Sequence, residues 1–165
     1  MPKAFRLGPL TFIGGSFYDC PKSNGNPARR ANIRLERSAP CSAKSLARFY
    51  DFPVPDFSTP KPETARRLAD KIWDDAEAGE LSEVFVGCTA GHGRTGTMLG
   101  VFLMVYRERY LASFWKRVLR RFFRRPLPVE FEPEDPVRWI RENYKEAAIE
   151  TPEQEEFVRG FTRNH

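Results

Sequence analysis

The sequence is poor in the residues that hold metals or build disulfide frameworks. Its 165 residues include three cysteines and two histidines, with no CxxC pair, and one histidine is the last residue. Zinc sites and disulfide scaffolds need more such residues at short spacings. We therefore expect no metal, no cofactor and no disulfide bridge, and we interpret Cys20 and Cys41 as ordinary thiols.

Long hydrophobic runs are also missing. The longest apolar run, from Met98 to Tyr106, is far shorter than the roughly 20 residues that cross a bilayer. The N-terminus has no apolar stretch typical of a signal peptide. These features predict a cytoplasmic protein without a transmembrane segment. The length fits a single domain, residues 1–165, which we expect to be monomeric.

Positive charge, in contrast, is abundant and unevenly placed. The net charge is +5, and residues 107–125 carry eight basic residues and one acidic residue, Glu108. One interpretation is a helix that docks on anionic lipid or nucleic acid. The other interpretation is a helix that packs on the core by its apolar stripe and exposes its basic face to solvent. We favour it, because amphipathic helices are the norm in globular domains. The two interpretations are compatible.

Hydrophobic periodicity and turn residues predict an α/β fold, in which residues 50–162 hold the functional elements and residues 1–50 form strands and loops. The expected fold is a central mixed or parallel sheet with helices on both faces, including the long basic helix. The predicted strands are Leu10–Ile13, Ala31–Leu35 and Val84–Val86. The predicted loops are Pro21 to Pro27 and the extended segment from Tyr50 to Phe57. The predicted helices begin at Thr59-Pro60, near Arg94, at Asp135-Pro136 and at Thr151-Pro152, and end near Ala78, Pro126, Lys145 and Phe161.

A glycine-rich loop, residues 88–95, joins the third strand to the basic helix and has the composition of an anion site. We call it the phosphate loop. The N-terminus of the helix would stabilise a Cys88 thiolate, and Arg94 could grip two phosphoryl oxygens with its planar fork. Thr95 could place its hydroxyl on the sulfur. The expected phosphate-binding residues are Thr89, Ala90, Gly91, His92, Gly93 and Arg94.

The spacing Cys-x5-Arg-Thr-Gly after an apolar strand resembles the protein tyrosine and dual-specificity phosphatase superfamily. The resemblance implies a tyrosine-phosphatase-like fold and hydrolysis of phosphomonoesters through a cysteinyl-phosphate. The segment Val54-Pro55-Asp56-Phe57-Ser58-Thr59-Pro60 resembles the family's mobile acid loop. By that match Asp56 is the general acid and then the base that activates water. Asp51 is the rival acid, but its setting matches less well.

Three further positions bear on this resemblance. A glutamine near Gln154 orients the hydrolytic water in the family, but Thr151-x-x-Gln154 also fits a capping box, and the sequence favours neither role. The family usually has histidine before the nucleophile, whereas this chain has Gly87, which puts the rate of catalysis in question. His92 is either an exposed loop residue, the interpretation we favour, or a cation at the rim of the pocket.

Three functions remain open at this stage. The first is a protein phosphatase for phosphotyrosine, or for phosphotyrosine and phosphoserine or phosphothreonine. The second is a phosphatase for a polyanion, such as a phosphoinositide or an RNA 5′-phosphate, aided by His92 and the basic helix. The third is a phosphate-binding protein of phosphatase-like fold without turnover, which Gly87 keeps open. A phosphorylated protein is the favoured partner.

Overall fold

A computed structural model describes residues 3–19, 27–37, 48–121 and 134–161. Residues 21–26 of the predicted loop, Cys20, Cys41 and the predicted helix end at Pro126 lie outside these ranges. The strands are Lys3–Leu7 (β1), Leu10–Ser16 (β2), Arg30–Arg34 (β3), Arg48–Asp51 (β4) and Glu83–Cys88 (β5). The helices are Pro62–Glu77 (α1), Gly93–Arg121 (α2), Pro136–Asn143 (α3) and Pro152–Gly160 (α4).

The five strands form one mixed sheet in the order β1-β2-β5-β3-β4. Strand β1 is antiparallel to β2, whereas the other neighbouring strands are parallel. The central position of β5 follows from its apolar sequence, since Val84, Phe85 and Val86 are fully buried. The parallel strands β2, β3 and β5 therefore end at one edge of the sheet, with Cys88 in the middle of that edge.

Successive residues of β5 face opposite sides of the sheet and pack differently. Val84 and Val86 join the main core, to which all four helices of the described ranges contribute buried residues. Phe85 joins a small second cluster with Phe17. The predicted mixed sheet flanked by helices is confirmed. Within the described ranges, however, the second face is covered by the short 3-10 helix Phe17–Asp19 rather than by an α-helix.

Helix α1 begins later than predicted. We expected Thr59 to cap it, but the N-cap is Lys61, which makes no side-chain capping hydrogen bond. The reason is Pro62, because a residue before proline is pushed out of helical geometry. Lys61 accordingly has extended dihedrals, φ −65° and ψ 126°. The predicted end is confirmed, since Gly79 follows the helix with φ +75°.

The N-terminal strands differ most from the prediction. Strand β1 was not predicted, although Gly8-Pro9 marks the turn that pairs it with β2. Strand β2 continues through Gly14 and Gly15 to Ser16, whereas we expected it to end at Ile13, before these glycines. Gly14 permits a close approach, because a Cβ on Gly14 would lie 2.5 Å from the ring of Tyr144.

The basic helix is the C-terminal part of α2, which runs unbroken over 29 residues. Its first basic side chains contact the rest of the fold. Arg107 donates to the carbonyl oxygen of Glu134, and Arg109 pairs with Asp70 and Asp74 of α1. These two arginines are thus engaged inside the protein. Within the described ranges, no helix is long and apolar enough to cross a membrane.

Candidate active site

The phosphate loop lies at the edge of the sheet where the parallel strands end. Strand β5 ends at Cys88, helix α2 begins at Gly93, and Ser16 of β2 is the register partner of Cys88. An apolar strand, tight loop and helix in succession place backbone N–H groups around one point. The sequence predicted this arrangement, and the structure contains it.

Two hydrogen-bond donors contact the sulfur of Cys88, which is buried. The Gly91 N–H and the Thr95 hydroxyl each donate to Sγ at 3.1 Å. Thr95 Oγ1 also accepts from the Cys88 N–H at 3.1 Å. Both donors favour the thiolate over the neutral thiol, because a charged acceptor strengthens a hydrogen bond. This contact supports the role that we predicted for Thr95.

Arg94 of the phosphate loop is buried, and its guanidinium group is fixed by several acceptors. Nη1 donates to a carboxylate oxygen of Glu36 at 2.7 Å and to the Val54 carbonyl oxygen at 3.1 Å. Nη2 donates to Thr89 Oγ1 at 3.3 Å and pairs with Asp56 at 3.0 Å. The fork is therefore held in one orientation at the loop, as a bidentate phosphoryl ligand requires.

The structure separates the two candidate acids. Asp56 reaches Arg94 Nη2, and 64% of its side chain is exposed to solvent. Asp51 instead forms a two-point hydrogen bond with Arg34 on the neighbouring strand, at 2.8 and 3.1 Å. A general acid must lie within reach of the reacting group, so geometry favours Asp56 over Asp51.

Two carboxylates at the loop were missed by the sequence analysis. Glu36 binds Arg94, and Glu150 accepts from the Gly93 N–H at 2.7 Å. Glu36 could have been found, because it follows β3 and strand ends of a parallel sheet share an edge. No local pattern marks Glu150. It follows Ile149, whose φ of +62° is unusual for a β-branched residue.

Gln154 forms the capping box, one of the two roles left open above. Thr151 Oγ1 accepts from the Gln154 N–H, and Gln154 Oε1 accepts from the Thr151 N–H at 3.4 Å and from the Glu150 N–H at 2.9 Å. Nε2 donates to the Ser58 carbonyl oxygen at 3.2 Å. The side chain thus links the start of α4 to the acid loop, and placement of water by Gln154 stays a prediction.

The environment explains why residue 87 is glycine. A Cβ on Gly87 would lie 2.8 Å from the Phe85 ring and 3.1 Å from the Phe17 backbone. A histidine therefore has no room at this position. His92 is half-buried rather than exposed, which corrects the interpretation favoured above. Its Nδ1 is enclosed and has no hydrogen-bond partner among the described residues.

Gly91 should be the least replaceable glycine of the loop. Its φ is +73°, and a Cβ there would lie 2.6 Å from both the Gly15 carbonyl oxygen and the Ser16 nitrogen. Gly79 is a matched control, because its φ is +75° and nothing lies within 4 Å of a Cβ. We expect Gly79→Ala to lower the free energy of unfolding by about 1 kcal/mol through backbone strain alone.

Gly91→Ala should lower it by a further 1–3 kcal/mol, roughly, because strand β2 must move away from the loop. Urea unfolding of both variants measures the difference. Equal losses of unfolding free energy in the two variants would show that the phosphate loop and β2 are not in close contact.

Comparison with known families agrees with the geometry. Residues 25–158 match the family model described as "PTP-SAK: Swiss Army Knife protein, DSP-PTPase phosphatase domain". The chain belongs to this family. The matched range includes the whole phosphate loop and Asp56. The phosphate loop and most of the fold thus belong to the DSP-PTPase domain.

Other proteins resemble this DSP-PTPase domain over much of its length. Two uncharacterised proteins of Methanocaldococcus jannaschii are each 31% identical to it, over 111 and 106 residues, which are 67% and 64% of this chain. These stretches are 57% and 50% of the relatives, so the chain spans about half the length of the curated relatives it matches.

Solved structures share the fold at low identity. The crystal structure of Tk-PTP in the active form has a TM-score of 0.63 at 19% identity and covers 97% of this chain and 96% of its own. The structure of PTPMT1 has a TM-score of 0.58 at 14% identity and covers 96% of this chain and 92% of its own. At these identities the likeness shows that the DSP-PTPase domain has the phosphatase fold.

Proposed function

We propose that this chain hydrolyses phosphomonoesters through a cysteinyl-phosphate at Cys88 and that its substrates are phosphorylated proteins, carrying phosphotyrosine alone or also phosphoserine and phosphothreonine. One observation carries the proposal. The Cys88 sulfur accepts hydrogen bonds from Gly91 and Thr95, and the fixed guanidinium group of Arg94 lies at the same loop. A nucleophile and an anion ligand are thereby held together, as covalent phosphoryl transfer requires.

The first step forms the S–P bond. The Cys88 thiolate attacks phosphorus in line with the leaving oxygen, and the P–O ester bond breaks. Asp56, in its protonated form, gives its proton to that oxygen, so the alcohol or phenol leaves neutral. Arg94 and amides of the phosphate loop bind the three remaining phosphoryl oxygens.

The second step releases phosphate. Asp56, now a carboxylate, takes a proton from water as the water oxygen attacks phosphorus. The S–P bond breaks, and Cys88 leaves as a thiolate that receives the hydrogen bonds of Thr95 and Gly91. Gln154 is a candidate for positioning this water, through the link between α4 and the acid loop.

The charges near the loop favour a protein substrate over a polyanion. A cleft of about 330 Å³ beside the loop is lined by two basic residues, Arg37 and Arg94, and two acidic residues, Glu36 and Asp56. Polyanions gain affinity from an excess of positive charge. Among the described residues the cleft has none, and Arg107 and Arg109 of the basic helix bind other parts of the fold. A single phosphate on a protein side chain needs only Arg94 and the loop amides.

Replacement of the proposed acid should give a loss that depends on the leaving group. Asp56→Asn removes the proton that a poor leaving group needs, so kcat/KM, which reports the steps up to departure of the leaving group, should fall about 10²–10⁴-fold for an alkyl phosphate or phosphotyrosine. An activated aryl phosphate, whose phenolate leaves without protonation, should lose much less. Values of kcat/KM for a series of aryl phosphates with different phenol leaving groups measure this dependence. Asp51→Asn is the matched control and should retain the rate.

Asp56 would not be the general acid if Asp56→Asn lost kcat/KM equally for every leaving group, or if Asp51→Asn lost more.

A competition of substrates tests the protein class. Initial rates on a phosphotyrosine peptide, a phosphoserine peptide, a phosphoinositide and a 5′-triphosphorylated RNA are compared over a salt series. We expect the peptides to be preferred, with weak dependence on salt. A preference for the polyanions that collapses with salt would instead favour the second function. Binding of phosphate without turnover of any substrate would favour the third.

A further inference from the structure

The carbonyl groups of the phosphate loop are bound from outside by side chains that no chemical step above uses. The Thr89 carbonyl oxygen accepts from the Ser16 hydroxyl at 2.6 Å. The Gly91 carbonyl oxygen accepts from the Tyr144 hydroxyl at 2.6 Å and from Lys145 Nζ at 3.1 Å. These donors come from β2 and from the end of α3, far from the loop in sequence.

Peptide geometry links these outer contacts to the inner face of the loop. In a planar trans peptide, the carbonyl group of one residue and the N–H of the next point in opposite directions. A Thr89 carbonyl held outward therefore turns the Ala90 N–H inward. A Gly91 carbonyl held outward likewise turns the His92 N–H inward, to the side on which the Gly91 N–H meets the Cys88 sulfur.

The surroundings of Tyr144 show a site shaped for this contact. Its side chain is fully buried, and Gly14 of β2 leaves the room that its ring occupies. Burial, and then the negative charge of Cys88, raise the pKa of Tyr144 above its usual value. The phenol therefore stays protonated and can act as a donor at every pH at which the enzyme would work.

We propose that Ser16, Tyr144 and Lys145 are positioning residues that hold the peptide units of the phosphate loop so that the Ala90 and His92 amides face the phosphoryl group. The proposal rests on the proposed function for the nature of the bound group. These contacts also orient the loop, which Gly87 cannot do because it has no side chain. Without these contacts a peptide unit can turn over, and a carbonyl oxygen would then face the phosphoryl oxygens and repel them.

Loss of the Tyr144 hydroxyl tests the proposal. For Tyr144→Phe we expect the dissociation constant of inorganic phosphate, measured by calorimetry, to rise about five- to tenfold, the size of one hydrogen bond. KM for an aryl phosphate should rise with it. Ser16→Ala should act in the same direction, and the double variant should lose at least the product of the two factors.

The control is Tyr106→Phe, in which a half-buried tyrosine loses its hydroxyl. Tyr106 packs against the core and lies 13 residues along α2 from Gly93, which is about 20 Å. It should leave phosphate affinity unchanged. Alkylation of Cys88 by iodoacetate, followed against pH, supplies a second signature. The pH dependence of the alkylation rate should shift in Tyr144→Phe and not in Tyr106→Phe. A merely structural role of Tyr144 would lower the melting temperature without shifting this pH dependence.

Folded Tyr144→Phe and Ser16→Ala proteins with unchanged phosphate affinity and alkylation profile would overturn the proposal. If Tyr144→Phe does not fold, Lys145→Met and Ser16→Ala decide by the same two measurements. If the wild type binds phosphate but hydrolyses nothing, the proposed function fails while the dissociation constants still test the positioning. A wild type that does not bind phosphate would overturn both.

Discussion

Cys88→Ser should abolish hydrolysis of every phosphomonoester, with kcat reduced by about 10⁴-fold or more. A serine hydroxyl is a far weaker nucleophile than a thiolate, and neither described partner of the Cys88 sulfur, the Gly91 N–H or the Thr95 hydroxyl, is a base that could deprotonate it. The hydrogen bonds from Gly91 and Thr95 to residue 88 favour a charged sulfur and do little for a neutral hydroxyl. Release of a chromogenic phenol from an aryl phosphate measures the loss.

The matched measurement is binding, because loss of the nucleophile leaves the cradle in place. Cys88→Ser should still bind inorganic phosphate with an affinity within a few-fold of the wild type. Residual hydrolysis at a tenth of the wild-type rate would contradict the covalent mechanism. Loss of phosphate binding would show instead that the variant had disturbed the loop.

Arg94→Lys should lower kcat/KM by about 10³-fold. A lysine keeps the charge but has no planar fork, so it cannot bind two phosphoryl oxygens at once. It also cannot satisfy at the same time the acceptors that now fix the guanidinium group, which are the carboxylates of Glu36 and Asp56, the Val54 carbonyl oxygen and the Thr89 hydroxyl. We expect both a weaker phosphate affinity and a lower kcat.

The control for charge and size is Arg109→Lys, which loses a similar set of ion pairs on the α1–α2 surface. It should change stability slightly and leave kcat/KM as it is. Near-normal catalysis in Arg94→Lys would mean that the loop amides alone hold the transferring group.

The loop itself was predictable from sequence because its chemistry is local. Cys88, Arg94 and Thr95 lie within eight residues between an apolar strand and a helix, and this order alone implies an anion site at the helix N-terminus. Asp56 was predictable only through its resemblance to an acid loop. Nothing in the spacing of Asp51 and Asp56 distinguishes them, whereas the structure places Asp51 on Arg34 and Asp56 on Arg94.

The residues that support the loop could not be predicted, because tertiary structure brings them there. Tyr144 and Lys145 lie more than 50 residues beyond Gly91 and reach it from the end of α3. Gly14 and Gly15 suggested the end of a strand, but within the sheet Gly14 leaves room for the Tyr144 ring, and the Gly15 backbone lies against Gly91. In α1, the local effect of Pro62 overrode the capping preference of Thr59.

The most direct test of the mechanism is the identity of the phosphorylated residue during turnover. Wild-type protein is mixed with an aryl phosphate, quenched in acid within the first turnover, digested and examined by mass spectrometry. The mechanism predicts a phosphoryl group on the peptide that contains Cys88, and none in Cys88→Ser. Turnover with a phosphoryl group on another side chain, or with no phosphorylated cysteine at any quench time, would contradict it.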